Sequence, residues 1–156
     1  MTQIRAAISN DIPPLLALIR RYWEFEGIRG FEALPIEQVL KELLGDSARG
    51  AVWVADSQGT LVGYLIVVLV LSVEHRGWMG EIDELFVLPA ARSCGTGSLL
   101  LARAEAALAQ RGCVRLQLQL GAANSAARTF YGHRGYRARS GYELLDKPLA
   151  RSTAGN

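Results

Sequence analysis

The spacing of hydrophobic residues predicts a chain that alternates between strands and helices. Short apolar runs and strict alternation are typical of strands, whereas apolar residues three and four positions apart are typical of helices. The predicted strands are Gln3–Ile8, Ala51–Ala55, Leu61–Val73, Trp78–Leu88, Cys113–Leu120 and one or two closing strands within Tyr136–Lys147. The predicted helices span residues 11–26, 35–44, 97–110 and 124–135.

This order predicts a mixed α/β domain in which a six- to seven-stranded sheet is flanked by about four helices. We expect one domain over residues 1–149 and a frayed C-terminal tail over residues 150–156. The helix between Leu88 and Cys113 is a crossover connection, and such connections are right-handed. The two strands that it joins should therefore be parallel.

Composition narrows the class of protein. The 156 residues are 50% hydrophobic and 21% charged, which favours an ordinary globular protein over a disordered one. The formal net charge of +2 is too small to indicate a nucleic-acid surface. Cys94 and Cys113 are too few for a disulfide framework, and together with His75 and His133 they show no metal-ligand spacing. We expect no metal and no nucleic-acid partner.

The hydrophobic segments argue against a membrane protein. The longest apolar run, residues 64–73, is about half the length that a membrane-crossing helix needs. The first residues, Met1–Arg5, lead directly into a polar segment and do not resemble a secretory signal. We therefore expect no membrane association and a cytoplasmic location.

A glycine pair follows the fourth predicted strand and begins the third predicted helix. Leu85–Leu88 is a short apolar run that Pro89 ends, and Gly95 and Gly97 then bracket one residue. Glycines at a helix start let backbone amides approach a ligand at the positive end of the helix dipole, which favours an anion such as a phosphate. Two other phosphate-binding motifs do not match this loop. It lacks the lysine of a Walker A loop, and Leu100 occupies the position of the third glycine of a Rossmann fingerprint.

Two motifs together carry a resemblance to a known family. The loop reads Arg92-Ser93-Cys94-Gly95-Thr96-Gly97, and the second motif, Asn124-x-x-Ala-x-x-Phe-Tyr-x-x-x-Gly-Tyr136, follows about one helix and one strand later. Both resemble the coenzyme A motifs of the GNAT superfamily of N-acetyltransferases. The resemblance covers essentially the whole chain and implies the GNAT fold, with acetyl-CoA as the co-substrate.

The resemblance also assigns roles to residues. It implies that loop amides hold the pyrophosphate of the coenzyme, that Leu85 faces the thioester carbonyl and that Val87 pairs with the pantetheine arm. Tyr131 would be the general acid beside the departing sulfur, and Asn124 would contact the pantetheine arm while also capping its helix. The implied cofactor-binding residues are Leu85, Phe86, Val87, Arg92, Ser93, Cys94, Gly95, Thr96, Gly97, Ser98, Asn124 and Tyr131.

Three carboxylates on the strand before the loop are candidates for the base. Glu81 and Asp83 should share one face of the strand, and Glu84 should lie on the other unless a bulge intervenes. Asp83 and Glu84 are the candidate catalytic carboxylates. Ribosomal-protein acetyltransferases of the family carry a glutamate on the next strand, where this chain has Gln119, so that mechanism is disfavoured.

The acidic strand also resembles that of the diamine and polyamine acetyltransferases, which carry a Leu-Glu-Asp-Phe-Phe-Val run. Acidic residues at the mouth of the site would attract a cationic amine. The substrate-binding candidates that would complete such a pocket are Tyr22, Glu26, Phe31 and Glu81.

These observations predict an N-acetyltransferase that moves the acetyl group of acetyl-CoA to a small cationic primary amine by direct attack in a ternary complex. One alternative is an enzyme that acetylates a protein N-terminus or a lysine. The other is a coenzyme A-binding sensor domain without turnover. Members of the family often dimerise through their last strands, and residues 136–145 permit a homodimer of this kind.

Overall fold

The computed structural model describes residues 1–151, so that most of the predicted tail, residues 152–156, lies outside the described residues. The chain forms two compact units, Met1–Gln119 and Leu120–Asn156, which we describe separately. The prediction that residues 1–149 form a single domain stays a prediction.

The first unit contains all the strands of the described chain. Its elements in chain order are β1 (Thr2–Ala6), α1 (Ile12–Glu26), α2 (Ala33–Gly45), β2 (Gly50–Ser57), β3 (Thr60–Ser72), β4 (Gly77–Val87), the short α3 (Pro89–Arg92), α4 (Thr96–Gln110) and β5 (Arg115–Leu118). A single 3₁₀ turn, Ser9–Asp11, precedes α1. The second unit contains α5 (Ser125–Gly132).

Local sequence explains where α1 begins and ends. Pro13 and Pro14 occupy its first turn, where a missing amide hydrogen costs no helical bond. Gly27 ends the helix in the left-handed conformation, with a φ of 71° that glycine adopts without strain. Between them, Leu15, Leu18 and Ile19 form the buried stripe that faces the sheet.

The five strands lie in the order β1-β2-β3-β4-β5. Neighbouring strands are antiparallel except for β4 and β5, which are parallel. The crossover through α4 therefore joins parallel strands, as the sequence predicts.

Both faces of the sheet are covered. One face carries Val54, Tyr64, Ile66 and Phe86, which pack in one hydrophobic cluster with the buried stripes of α1 and α2. Side chains that alternate with these, such as Val67, lie on the other face beside Leu108 of α4. The mixed α/β fold that the sequence predicts is confirmed.

The number of elements differs from the prediction. The described residues contain five strands rather than six or seven, because residues 136–147 form no strand. Tyr142, Leu144 and Leu145 are exposed there and bury no face of a sheet, and Gly141 turns the chain with a φ of 86°. A fifth helix, α3, begins at Pro89, since proline is favoured at the first position of a helix.

Candidate functional site

A β-bulge at Asp83 sets the geometry of the acidic strand. Glu84 pairs with Ile66 and Ile82 pairs with Val67, so that Asp83 is the extra residue between two consecutive partners on β3. An extra residue reverses the alternation of side chains along a strand. Glu84 consequently joins the face of Tyr64 and Phe86 instead of continuing the face of Ile82.

The Glu84 carboxylate is held by two hydrogen-bond donors. Trp23 Nε1 on α1 donates to Oε1 at 2.8 Å, and Tyr64 Oη on β3 donates to Oε2 at 2.7 Å. Burial raises the pKa of Glu84, and the two hydrogen bonds oppose that rise because they stabilise the charged form. The pKa of Tyr64 is raised well above its usual range, first by burial and then by the charge of Glu84.

Asp83 has different surroundings. Asp83 is exposed, and within residues 1–151 its carboxylate accepts no hydrogen bond. Loss of solvent on one side raises the pKa of Asp83, and the charge of Glu81 raises it further. A carboxylate with a raised pKa and unengaged oxygens has the properties of a general base.

Asp83 and Glu84 lie at one side of a cavity of about 220 Å³ between α1, α2 and the sheet. The rest of the lining is hydrophobic and consists of Ile19, Trp23, Pro35, Ile36, Val39, Leu40, Leu43 and Ile66.

None of the predicted substrate-binding residues Tyr22, Glu26, Phe31 and Glu81 lines this cavity. Tyr22 contacts Phe86 with 5.8 Å between the ring centroids, and burial, Glu26, Glu84 and Asp83 raise its pKa to about 12. Phe31 packs its ring edgewise on Trp23 at 5.7 Å. Tyr22 and Phe31 therefore contact Phe86 and Trp23 without lining the cavity, while Glu26 is exposed.

Glu81 is engaged with β5. Its two carboxylate oxygens accept hydrogen bonds from the side-chain amides of Gln117 and Gln119, both at 3.0 Å. Gln119, one residue beyond β5, thus helps to orient a carboxylate on β4.

The two parallel strands part beside the acidic residues. The pairing of β4 with β5 ends at Ile82 and Leu118, although β4 continues to Val87. The Leu88 amide donates to Val62 O on β3 at 2.8 Å, and amides alternate along a strand. The amides of Leu85 and Val87 therefore face the side on which β4 has parted from β5.

The glycine loop leads directly into α4. Gly95 precedes the helix with a φ of 73°, and the Leu99 amide donates to Gly95 O at 3.0 Å. The amides of Thr96 and Gly97 belong to the first turn, where helical geometry supplies no acceptor. Thr96 is 1% exposed and fixes the turn in the core, whereas Ser93 and Cys94 are exposed. This arrangement fits a phosphate group.

Arg92 folds back towards the strand. Its Nε donates to Val87 O at 2.8 Å, and its guanidinium lies 4.9 Å above the ring of Phe25 and 5.6 Å above that of Phe86. The side chain thus ties the loop to β4 and α1.

The second unit carries the other predicted site residues. Asn124 Oδ1 accepts a hydrogen bond from the Ala127 amide at 3.0 Å, which makes Asn124 the N-cap of α5 as predicted. Tyr131 is buried, and its ring contacts Phe130 and Tyr136 with centroid distances of 5.1 and 5.4 Å.

Sequence reasoning missed Trp23 and Tyr64 as partners of the acidic strand. A signal for Trp23 was available, because it follows Ile19 by four residues on the buried stripe of α1 and carries an N–H donor. Tyr64 gave no such signal, since its position opposite Phe86 depends on strand register.

Two further properties concern the described residues only. Residues 1–151 contain no cluster of three or more His, Cys, Asp or Glu side chains that could hold a metal ion. None of the helices within this range is long and apolar enough to cross a membrane.

Comparison with known proteins agrees with the geometry. Residues 13–136 match the model of the acetyltransferase (GNAT) family. The chain is 29% identical over 143 residues to the uncharacterized N-acetyltransferase YhfO of Bacillus subtilis, a match that covers 89% of this chain and 92% of that protein. It is 37% identical over 79 residues to an aminoalkylphosphonate N-acetyltransferase of Salmonella typhimurium, with 51% of each chain covered.

A solved structure shows the same fold. The aminoglycoside N-acetyltransferase AAC(6')-Iy, crystallised with CoA, superposes with a TM-score of 0.82 at 16% identity and covers 96% of both chains. The family match spans most of the chain and reaches into the second unit. The chain therefore belongs to the acetyltransferase (GNAT) family.

Proposed function

We propose that this N-acetyltransferase transfers the acetyl group of acetyl-CoA to a small cationic primary amine, by direct attack of the amine in a ternary complex. The observation that carries the proposal is the acidic bulge of β4, where Asp83 and Glu84 face one cavity. Two adjacent carboxylates in a partly desolvated site favour a cationic ligand, since a nearby positive charge offsets their cost of burial.

Asp83 is the residue that we assign as the general base. An alkylammonium must lose a proton before its nitrogen can form a bond to the acetyl carbon, and a carboxylate without a hydrogen-bond donor can accept that proton directly or through water. Glu84 has its two oxygens engaged by Trp23 and Tyr64. We therefore assign it to electrostatic attraction and orientation of the ammonium group.

The residues that would bind the coenzyme are assigned from the family resemblance. Acetyl-CoA supplies a thioester when it is bound. The amides of Thr96 and Gly97, at the start of α4, would hold its pyrophosphate, and those of Leu85 and Val87 would bind along the parted edge of β4. Asn124 would bind the pantetheine arm, and the Tyr131 hydroxyl would return a proton to the sulfur as the carbon–sulfur bond breaks.

The relatives support an amine acceptor. The names of the Salmonella typhimurium relative and of the solved structure both refer to amino compounds, an aminoalkylphosphonate and an aminoglycoside. A protein N-terminus or a lysine side chain also presents an amine, and a sensor would bind the coenzyme without turnover. The acidic cavity favours the small amine, because its volume of about 220 Å³ suits a compact acceptor.

The test compares wild type with Asp83→Asn in a thiol-release assay against cationic primary amines. A general base contributes about 10²–10⁴-fold, so kcat/KM should fall by that factor. Because the base must be deprotonated, the wild-type rate should fall as pH drops through the raised pKa of Asp83, and Asp83→Asn should lose that limb of the profile.

Asp46→Asn is the matched control, since exposed Asp46 accepts a hydrogen bond from the Ala48 amide that asparagine can also accept. Its rate should equal that of wild type. An Asp83→Asn enzyme with the wild-type rate and pH profile would remove Asp83 from the base role, and absence of turnover on every amine would contradict the proposed function.

A further inference from the structure

The cavity beside the acidic bulge has two chemically different sides. Asp83 and Glu84 form one side, and the remaining eight lining residues are hydrophobic. The hydrophobic part comes from the buried stripe of α1, from α2 and from Ile66 of β3. A ligand that fits both sides needs a positive charge at one end and an apolar body at the other.

The side chains that line the cavity make a poor fit for two kinds of amine. None of the lining residues is a lysine or an arginine, so that a phosphonate or carboxylate on the ligand would meet only carboxylates and hydrophobic side chains. The second ammonium of a diamine or polyamine would be placed among Ile36, Val39 and Leu40, whose side chains offer it neither a negative charge nor a hydrogen-bond acceptor.

The cavity is small in comparison with most ligand sites. Its volume of about 220 Å³ lies below the usual range of roughly 300–1,000 Å³ for drug-sized ligands. Trp23 lies beside the carboxylates, where its indole is held by a hydrogen bond to Glu84 and by the nearly perpendicular ring of Phe31. An indole ring can bind an aromatic ring or an ammonium group.

We infer that the acceptor is a compact monoamine with an apolar body, such as an arylalkylamine or a branched alkylamine, rather than a polyamine or an amine that carries an anionic group. This inference rests on the proposed function and narrows its substrate class. The ammonium end would face Asp83 and Glu84, and the apolar body would occupy the space between Trp23 and α2.

The first experiment measures kcat/KM of the wild-type enzyme in a thiol-release assay. The probes are 2-phenylethylamine, 3-methylbutylamine, 1,4-diaminobutane, spermidine, 2-aminoethylphosphonate and an aminoglycoside. We expect the two apolar monoamines to exceed the others by about tenfold or more, since placing a polar or charged group in a hydrophobic pocket costs at least that factor.

The second experiment changes the apolar wall. Val39 lines the cavity and is 57% exposed, so that Val39→Glu should fold while adding a carboxylate to the hydrophobic side. We expect kcat/KM for 2-phenylethylamine to fall about tenfold and the preference to move towards 1,4-diaminobutane. Leu34→Glu is the matched control, because Leu34 lies on the same helix, is 72% exposed and does not line the cavity. It should leave both values unchanged.

The outcomes separate the inference from the proposed function. Higher kcat/KM for spermidine, the phosphonate or the aminoglycoside would overturn the inference while the proposed amine acetylation stands. An equal effect of Val39→Glu and Leu34→Glu would also overturn it. Absence of turnover on all six amines, with coenzyme A binding intact by calorimetry, would overturn the proposed function and the inference with it.

Discussion

At the scale of the residue, two adjacent carboxylates acquire different chemistry from their partners. Glu84 accepts hydrogen bonds from an indole N–H and a phenol O–H, whereas its neighbour Asp83 lines the cavity and accepts none from the part of the chain that the structure describes. The Glu84 oxygens are held in one orientation and can attract a positive charge, whereas the Asp83 oxygens can take up a proton. The same functional group can thus serve in two roles within one site.

Tyr131 is the residue whose assigned role is tested by removing a single oxygen. In Tyr131→Phe the packing on Phe130 and Tyr136 is retained, but the proton donor for the sulfur is lost. We expect kcat to fall about 10²-fold or more, with the affinity for coenzyme A unchanged by calorimetry.

Tyr142→Phe provides the control, since Tyr142 is exposed and stacks with Arg139. Its kcat should be that of wild type. A Tyr131→Phe enzyme with normal kcat would show that another group or water protonates the thiolate.

At the scale of the element, the start of α4 depends on one backbone conformation. The φ of Gly95 is 73°, which costs an L-residue roughly 1–2 kcal/mol, while a Cβ at this position would have nothing within 4 Å. Any effect of a larger residue therefore arises from backbone strain and not from a clash.

Gly95→Ala should weaken coenzyme A binding by about tenfold, because the strained loop moves its amides away from the phosphate position. Isothermal calorimetry measures the change.

Gly45→Ala is the control, because Gly45 ends α2 without a positive φ and a Cβ at this position would also have open space around it. It should bind coenzyme A normally and unfold at a slightly higher denaturant concentration. Equal affinity of the two variants would contradict the role of the Gly95 conformation.

At the scale of the whole molecule, one ion-pair network joins the first two strands to the start of α1. Arg5 of β1 binds Asp11 through two hydrogen bonds of 2.7 and 2.9 Å and binds Asp56 of β2 at 2.9 Å. Asp11 is only 6% exposed and also accepts a hydrogen bond from the Ile8 amide. The hydrogen bonds from Arg5 hold the pKa of Asp11 below its usual value, although burial opposes them.

This network predicts part of the acid sensitivity of the fold. A carboxyl whose pKa is lowered by folding stabilises the native state above the pKa of the unfolded chain, and that contribution is lost as pH falls through the lowered pKa. Asp11→Asn should lower the free energy of unfolding by about 1.5–3 kcal/mol at pH 7. It should also lose less stability than wild type as the pH falls below about 4, the ordinary pKa of an aspartate.

Urea unfolding across this pH range measures both effects. Asp46→Asn is again the comparison, because Asp46 forms an exposed pair with Arg49 at 3.4 Å, and such pairs contribute about 0–1 kcal/mol. If Asp11→Asn lost stability on acidification as steeply as wild type, Asp11 would not be a source of the acid transition.

The sequence by itself determined the features that depend on neighbours along the chain. The order of strands and helices follows from hydrophobic period, the loop before α4 from Gly95, the cap of α5 from Asn124, and the parallel pairing of β4 and β5 from the handedness of crossovers. The two motifs also sufficed to indicate the family. Residues 136–147 show the limit of this reasoning, because a segment predicted as a strand forms one only where it pairs with another strand.

Tertiary structure alone decided what the acidic strand faces. Strand residues alternate with a period of two, so a single extra residue at Asp83 transfers Glu84 to the opposite face, and that bulge depends on the register with β3. The donors to Glu84 come from residues 61 and 20 positions away in the chain. The cavity likewise exists only where α1, α2 and β3 meet. Contacts between distant segments are set by packing, and no local pattern of residues specifies them.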